Sequence, residues 1–203
     1  DDTTPNADNP FSWPLGITLD SAKNRALVVD SGLDAVIAVN LSDGARSVLS
    51  DSSTPNNLNE FNQPSDIILD SGNDRAFVVD QGLDAVIAVD LSTGARTVLS
   101  DDTTPDDVND FTLPIGITLD SANNRALVVD YHVDAVIAVD LTTGTRTVLS
   151  DDTKPNADNG FIFPRAIILD SPDNLAYVSE GSRGLGAIVA VDLQTGQRVI
   201  LSK

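Results

Sequence analysis

The side chains best suited to chemistry lie next to each other in the third quarter of the chain, at Tyr131 and His132. His132 is the only histidine, so it is the only side chain whose ordinary pKa lies near neutrality. Nucleophilic catalysis would need a serine or threonine beside it, and both are so abundant that no particular triad is indicated. Cysteine, phosphate-binding glycine loops and metal-spaced histidines are all absent from the sequence. We therefore predict no catalytic residue.

Aspartate dominates the charge of the chain. The formal net charge is −19 at pH 7, and all of the 31 acidic residues except Glu60 and Glu180 are Asp. Aspartate caps turns, and its oxygens are also good ligands for calcium. A charge of this sign excludes nucleic acid as the expected partner, because phosphate binding needs Lys and Arg. It favours an extracellular or salty setting, where ions screen the repulsion.

Neither a membrane span nor a signal peptide is indicated. The sequence has no continuous apolar run of the length that crosses a bilayer. It begins at Asp1 without a methionine, so we expect a processed, secreted product.

The chain consists of four copies of one unit. Residues 1–50, 51–100, 101–150 and 151–203 align with one another, and the fourth copy has two extra residues in SEGSRGLGA. Each copy predicts four antiparallel strands bounded by turn residues, as in GITLD (16–20), RALVVD (25–30), DAVIAVD (84–90) and ARTVLS (95–100). Helical periodicity is missing. Four strands in about 50 residues are typical of one β-propeller blade. We therefore predict an all-β propeller domain over residues 1–203.

The residues that define the unit resemble those of NHL and YWTD propeller repeats. They are, in the first copy, Pro14, Gly16, Ile17, Asp20, Asp30, Ile37, Val39, Gly44 and Arg46. The pattern is also similar to the wider group that contains gluconolactonase- and senescence-marker-type propellers. Those families usually close rings of six or more blades, whereas this chain has four. A closed four-bladed ring, half of an eight-bladed dimer, part of a larger ring and a head-to-tail filament all remain open.

Positions that differ between the copies are candidates for a binding site. They fall at the start of the first strand (13–16, 63–66, 113–116, 163–166) and between the second and third strands (31–33, 81–83, 131–133, 181–185). The family resemblance implies that both places lie on one face, at the mouth of the central channel. Drift in a solvated loop is the competing explanation. The candidate ligand- or partner-binding residues are Trp13, Asp66, Tyr131, His132, Arg165 and Arg183.

Residues that recur in every copy are expected to be structural. Asp20, Arg46 and their equivalents predict turn caps and ion pairs between strands, and so does Arg25, which Leu175 replaces in the fourth copy. Gluconolactonase-like propellers hold a central divalent metal, so the resemblance implies metal ligands at Asp30, Asp80, Asp130 and Glu180, although their repetition favours turn capping. The Asp-rich stretches between blades, such as SDDTTPNADNPF, are a second candidate site for calcium.

Two functions follow from these observations. The first is a non-catalytic extracellular module that binds a protein or glycan partner or associates with itself. The alternative is a metal-dependent lactonase- or lyase-type propeller enzyme with its site at the channel mouth, in which Asp66, Glu180 or His132 is required.

Overall fold

The computed structural model describes residues 9–181 and 186–203. These residues form four four-stranded antiparallel sheets in which each strand pairs with its neighbour in sequence. The regular helices in this part of the chain are short 3₁₀ turns. The prediction of an all-β fold built from four-stranded antiparallel blades is therefore confirmed.

The chain divides into two compact units, each with two blades. Unit 1 is Asp1–Val98 and unit 2 is Leu99–Lys203. The prediction of one domain over 1–203 stays a prediction.

Unit 1 contains blades 1 and 2, and its last strand ends just past the unit boundary. The strands of blade 1 are β1 Pro14–Asp20, β2 Arg25–Asp30, β3 Ala35–Asn40 and β4 Arg46–Ser50. The strands of blade 2 are β5 Pro64–Asp70, β6 Arg75–Asp80, β7 Ala85–Asp90 and β8 Arg96–Ser100.

Unit 2 contains blades 3 and 4. The strands of blade 3 are β9 Pro114–Asp120, β10 Arg125–Asp130, β11 Ala135–Asp140 and β12 Arg146–Ser150. The strands of blade 4 are β13 Pro164–Asp170, β14 Leu175–Glu180, β15 Ile188–Asp192 and β16 Arg198–Ser202. The predicted strands agree with these bounds to within two residues.

An aspartate and an arginine close the turn between the first two strands of a blade. In blade 1 the Asp20 carboxylate accepts the amide of Lys23 and pairs with Arg25 Nε at 2.8 Å. A 3₁₀ turn over Ser21–Lys23 follows Asp20, and Asn24 adopts a left-handed conformation with φ of 50°. The equivalent pairs Arg75–Asp70 and Arg125–Asp120 are also 2.8 Å long. The predicted ion pair is thus confirmed in three blades.

Each unit has its own apolar core, in which the first blade packs on the second. The core of unit 1 joins side chains of blade 1, such as Leu27 and Val36, to side chains of blade 2, such as Phe61 and Ile67. Successive strand residues point to opposite faces of a sheet, and in this core one face of blade 1 packs on one face of blade 2. The core of unit 2 repeats the arrangement with Leu127, Val129, Val136, Ala138, Phe161, Ile167, Ala176, Val178, Ala187, Val189, Val191 and Leu193.

The buried arginine in the last strand of blades 2, 3 and 4 organises a connecting loop instead of forming the ion pair expected between strands. The Arg96 guanidinium donates to Ser50 Oγ at 2.6 Å and to backbone carbonyls of the connector between blades 1 and 2. The carbonyls belong to Asp51, Thr54, Asn56, Leu58 and Asn59. Arg146 and Arg198 hold the connectors of unit 2 in the same way. These arginines pair mainly with backbone groups, which every residue type carries. Arg146 also pairs with the Asp110 carboxylate at 2.7 Å, but Asp110 lies in a connector. The expectation of an ion pair between strands was therefore wrong for these three arginines.

Candidate binding site

A buried carboxylate at the end of the second strand joins the two variable loops of a blade. Asp30 is fully buried and accepts the amides of Ser12 and Trp13 at 2.7 and 2.8 Å. It also accepts the amides of Gly32 and Leu33, which belong to the loop between β2 and β3. In blade 1 the two places where the copies differ are therefore held against each other by an aspartate that recurs in the first three copies.

Asp130 performs the same task in blade 3 and thereby positions the tyrosine–histidine pair. It accepts the amides of Thr112 and Leu113 on one side and those of His132 and Val133 on the other. The amide of Tyr131 donates to the carbonyl of Leu113 at 3.0 Å. The loop backbone that carries the Tyr131 and His132 side chains is thus held to the buried end of the strand.

Tyr131 lies at the centre of a cluster that includes residues of blade 4. Its ring stacks on Phe163, with centroids 4.8 Å apart and planes inclined by 22°. The His132 ring lies 5.6 Å from the tyrosine ring, and Arg165 Cζ lies 5.1 Å from the same ring centroid. Tyr131 and Phe163 are half-buried, whereas His132 and Arg165 are exposed. We call these four residues the aromatic cluster.

Two features of blade 4 shape the aromatic cluster. Phe163 has φ of 57°, and its amide donates to Asp134 Oδ1 at 2.7 Å, which turns the ring towards blade 3. Gly181 lies beside the Arg165 side chain, and any Cβ at this position would collide with Arg165 Nε. The absence of that side chain leaves room for the guanidinium over the tyrosine ring.

Carboxyl groups with raised pKa values lie near the aromatic cluster. Burial raises the pKa of Asp134, and the charges of Asp152 and Asp130 act in the same direction, against the opposing effects of the Phe163 amide and His132. Burial also raises the pKa of Glu180, with a further contribution from Asp134. Glu180 Oε1 accepts the Ile162 amide, while the buried Oε2 has no hydrogen-bond partner among the described residues.

The aromatic cluster contains three of the predicted site residues, Tyr131, His132 and Arg165. Sequence reasoning missed Phe163, although it occupies the first position of the variable stretch 163–166, where the other copies have Trp13, Gln63 and Leu113. An aromatic side chain at a variable loop position was the available signal.

The other predicted site residues are placed differently. Trp13 is 67% exposed and is held through its backbone amide. Asp66 is half-buried in blade 2, and its carboxylate accepts the amide of Ile67 at 2.9 Å. Arg183 lies outside the described residues. The assignment of all these residues to a ligand or partner stays a prediction.

The carboxylates predicted as metal ligands have backbone partners. Asp80 accepts the amides of Asn62, Gly82 and Leu83, which repeats the pattern of Asp30 and Asp130. Turn anchoring thus accounts for these three Asp residues. Of the four carboxylates, Glu180 is the one with a buried oxygen that has no hydrogen-bond partner in the described part of the chain. Within residues 9–181 and 186–203, no three His, Asp or Glu side chains are grouped as a metal site requires. Metal binding at Asp30, Asp80, Asp130 and Glu180 stays a prediction.

The connectors predicted to bind calcium are organised by the protein itself. Their carbonyl oxygens accept from the buried arginine, and the side chain of Asp101 accepts the amides of Thr103 and Thr104 in the same loop. These bonds lower the pKa of Asp101 against the opposing and largest effect, burial of the group. Carbonyls that face a guanidinium are poorly suited to a second cation, because the two positive charges would repel.

Comparison of the sequence with known protein families and with curated proteins gives no match. Solved structures do resemble the chain. A nidogen/laminin complex matches with a TM-score of 0.59 and 15% identity, over 92% of this chain and 78% of that chain. A streptogramin B lyase matches with a TM-score of 0.70 and 18% identity, over 97% of this chain and 56% of that chain.

A third structure is a catalytically inactive histidine-to-alanine variant of virginiamycin B lyase from Staphylococcus aureus with quinupristin. It matches with a TM-score of 0.70 and 15% identity, over 97% of this chain and 57% of that chain. The chain thus spans a little over half the length of these lyases. At such low identities the similarity concerns the fold alone.

None of the helices in the described part of the chain has the length and apolar character needed to cross a membrane. The four-stranded antiparallel sheets and the solved structures together confirm the resemblance found in the repeat. The chain has the fold of the nidogen-type (YWTD) and virginiamycin B lyase-type (NHL-like) β-propellers.

Proposed function

We propose that the protein is a non-catalytic extracellular binding module and that the aromatic cluster contacts its partner. The observation that carries the proposal is the stack of Tyr131 and Phe163 with Arg165 over the same ring. Tyrosine and arginine are enriched at the centres of protein interfaces, where they provide most of the binding energy. Aromatic faces and guanidinium groups also recognise sugars and acidic side chains, so a protein or a glycan fits this surface.

The internal repeat strengthens the proposal. Unit 1 has Ser31, Gly32, Gln63 and Ser65 at the positions of the aromatic cluster. The same backbone contact forms in both units, since the amides of Gln63 and Phe163 each donate to an aspartate at 2.7 Å. The scaffold therefore does not require aromatic residues here, and a separate role for them is the simplest explanation. The nidogen structure, solved in complex with laminin, supports a protein partner and an extracellular setting.

The test uses the unit 1 residues as a matched replacement. The variant combines Tyr131→Ser, His132→Gly, Phe163→Gln and Arg165→Ser, and it should fold because unit 1 already has these residues. Binding of both proteins would be measured against a glycan microarray and against immobilised laminin. We expect the wild-type chain to bind at least one probe and the variant to bind it roughly 30-fold more weakly, as loss of a central tyrosine–arginine contact implies.

Trp13→Ser serves as the control, because Trp13 is a more exposed aromatic residue in the other unit. It should leave the affinity unchanged. Equal binding by the wild-type chain and the four-residue variant, or no binding by the wild type to any probe, would contradict the proposal.

A lyase-type enzyme is the second candidate, favoured by the two groups that lie near His132. His132 interacts electrostatically with Asp134, and the neighbouring Glu180 has a buried oxygen without a partner among the described residues. A metal held by Glu180 would complete such a site. The test incubates the chain with quinupristin and calcium, magnesium or manganese, and follows the antibiotic by mass spectrometry. Conversion that disappears in His132→Ala would support the enzyme, and unchanged quinupristin with every metal would exclude it for this substrate.

A further inference from the structure

The packing inside each unit defines two complementary faces of a blade. The forward face is the face that the first blade buries, and in blade 1 it contains Leu27, Val29 and Val36. The backward face is the face that the second blade buries against it, and in blade 2 it contains Phe61, Ile67 and Leu91. Unit 2 repeats the interface, with the forward face of blade 3 against the backward face of blade 4.

The backward face of blade 1 has the same residue types as the backward faces of blades 2 and 4, but among the described residues no other blade packs on it. Ile17 is 66% exposed, whereas the equivalent Ile67 and Ile167 are 2% and 4% exposed. Leu41 is also exposed, although Leu91 and Leu193 are buried at the equivalent positions. The exposed face thus retains the isoleucine and leucine that form the interface elsewhere.

In blade 4 the forward face is exposed to solvent. Ile168 is 64% exposed, whereas the equivalent Thr118 of blade 3 is 8% exposed. Ile188 and Leu201 are exposed on the same sheet, although Val136 is buried and Leu149 packs on the core at the equivalent positions. A shallow apolar hollow lined by Ile168, Tyr177 and Ile188 lies in this face.

Two uncovered apolar faces need an explanation in a repeat protein, because each repeat normally buries its apolar faces against a neighbour. Contiguous apolar patches on a soluble protein generally mark interaction sites. Here the two patches are of complementary kinds, because one is a forward face and the other is a backward face.

We propose that the forward face of blade 4 packs against the backward face of blade 1 of a second copy of the chain. This contact repeats, between chains, the interface that each unit already contains. It is a heterologous contact, so it generates a closed ring or an open filament according to the rotation between copies. The residues involved are separate from the aromatic cluster, and the inference does not depend on the proposed partner.

The proposed contact between copies lacks a hydrogen bond that both interfaces within the units contain. Arg25 and Arg125 donate from one blade to the carbonyls of Leu91 and Leu193 in the next. Blade 4 has Leu175 at this position, so the contact between copies relies on apolar burial. The large negative charge opposes association of two copies, and salt should therefore strengthen it by screening.

The first measurement is the mass of the full chain by light scattering across a range of concentrations, in about 0.1 M and about 0.5 M NaCl. We expect a mass above the 21.3 kDa of one chain, rising with concentration and with salt. A protein that remains at 21.3 kDa under all these conditions overturns the proposal.

Two variants identify the surfaces. Ile17→Asp places a charge on the backward face, and Ile168→Asp places one on the forward face. Each alone should remain a monomer. An equimolar mixture should form a 1:1 dimer, because each variant retains the face that the other has lost. Leu58→Asp is the matched control, since Leu58 is 64% exposed in a connector and belongs to neither face. It should associate like the wild type.

The mixture separates head-to-tail packing from other arrangements. If Ile17→Asp still dimerises on its own, two forward faces pair with each other and the proposal is wrong. The proposal also fails if the mixture stays monomeric, or if Leu58→Asp dissociates as readily as the other two. Circular dichroism of each variant shows that the fold is retained, which is expected because all three positions are exposed.

Discussion

Unit 1 places Ser31 and Gln63 where unit 2 places Tyr131 and Phe163, on the same backbone. Gln63 and Phe163 both have positive φ, at 66° and 57°, and both donate an amide to an aspartate of the preceding blade. The comparison shows that the loop conformation is set by buried carboxylates and amides. The side chains on the loop are then free to differ, and in unit 2 they form a surface suited to binding.

The two units also differ at a second, exposed place. Lys23 pairs with Asp74 across the blades of unit 1, whereas unit 2 has Asn123 and Asn174 at these positions. One difference thus concerns a partly buried aromatic stack and the other a solvated ion pair. They should contribute very differently to stability, while the buried groups shared by the units should contribute most.

The largest expected effect comes from the shared arginine. Arg96→Met and Arg146→Met should each lower the free energy of unfolding by about 4 kcal/mol, because several buried carbonyls lose a charged donor. Urea denaturation measures the change, and Arg165→Met, at an exposed position, is the control with an expected change below about 0.5 kcal/mol. A loss below about 1 kcal/mol in either unit would show that water replaces the guanidinium and that the units do not share this support.

The next largest effect is the pH dependence of the unfolding free energy that Asp80 causes. Burial raises the pKa of Asp80 to about 7, against the opposing hydrogen bonds from the Asn62, Leu83 and Gly82 amides. Folded Asp80 therefore keeps its proton up to about pH 7, whereas the unfolded carboxyl releases it near its ordinary pKa. Its contribution to stability is complete below about pH 4 and is lost as the pH rises through 7.

The difference in unfolding free energy between the wild type and Asp80→Asn isolates this group. The advantage of the wild type should decrease between pH 4 and 7, by at most about 4 kcal/mol. Carbon NMR of the Asp80 carboxyl provides a direct check. Titration near pH 4 would show that the three amides outweigh burial, and the predicted pH dependence would then be absent.

A smaller effect is expected from the aromatic stack. A double-mutant cycle with Tyr131→Ala and Phe163→Ala should give a coupling energy of about 1 kcal/mol, typical of stacked rings. Introducing Ser31→Tyr with Gln63→Phe into unit 1 should give a similar coupling, because the backbone is already the same. No coupling in unit 1 alongside coupling in unit 2 would mean that the loops differ more than the shared hydrogen bonds suggest.

The smallest effect is expected at the exposed ion pair. Lys23→Asn with Asp74→Asn converts unit 1 to the residues of unit 2 and should change the unfolding free energy by less than about 0.5 kcal/mol. Any change should vanish in about 1 M NaCl, since both side chains are exposed to solvent. A larger effect that persists in salt would point to packing by the lysine stem.

The strands could be predicted because the repeat shows each of them four times with the same apolar alternation and the same turn residues. Tyr131, His132 and Arg165 could be found individually, as departures from that repeat. Their contact could not, because nothing in the sequence states which loops of adjacent blades touch. Phe163 was missed for the same reason, since its importance lies in the ring it stacks on.

The recurring arginines show another limit. An arginine that recurs next to many aspartates suggests an ion pair, yet Arg96 and Arg198 mainly contact backbone carbonyls. Such partners have no residue type and leave no pattern in a sequence. The same contacts weaken the expectation that the connectors need calcium, because their carbonyls already face a positive charge.

Because the arginine lies in the last strand of a blade, it is copied together with the connector that it holds. The cation that organises each of the three connectors between blades is encoded in the same segment of about 50 residues as that connector. Duplicating the segment thus duplicates the loop together with its arginine. A connector built around a dissolved ion would instead depend on the ion concentration of every compartment it entered. Tandem copying of this unit therefore copies the loop and the cation that holds it in one step.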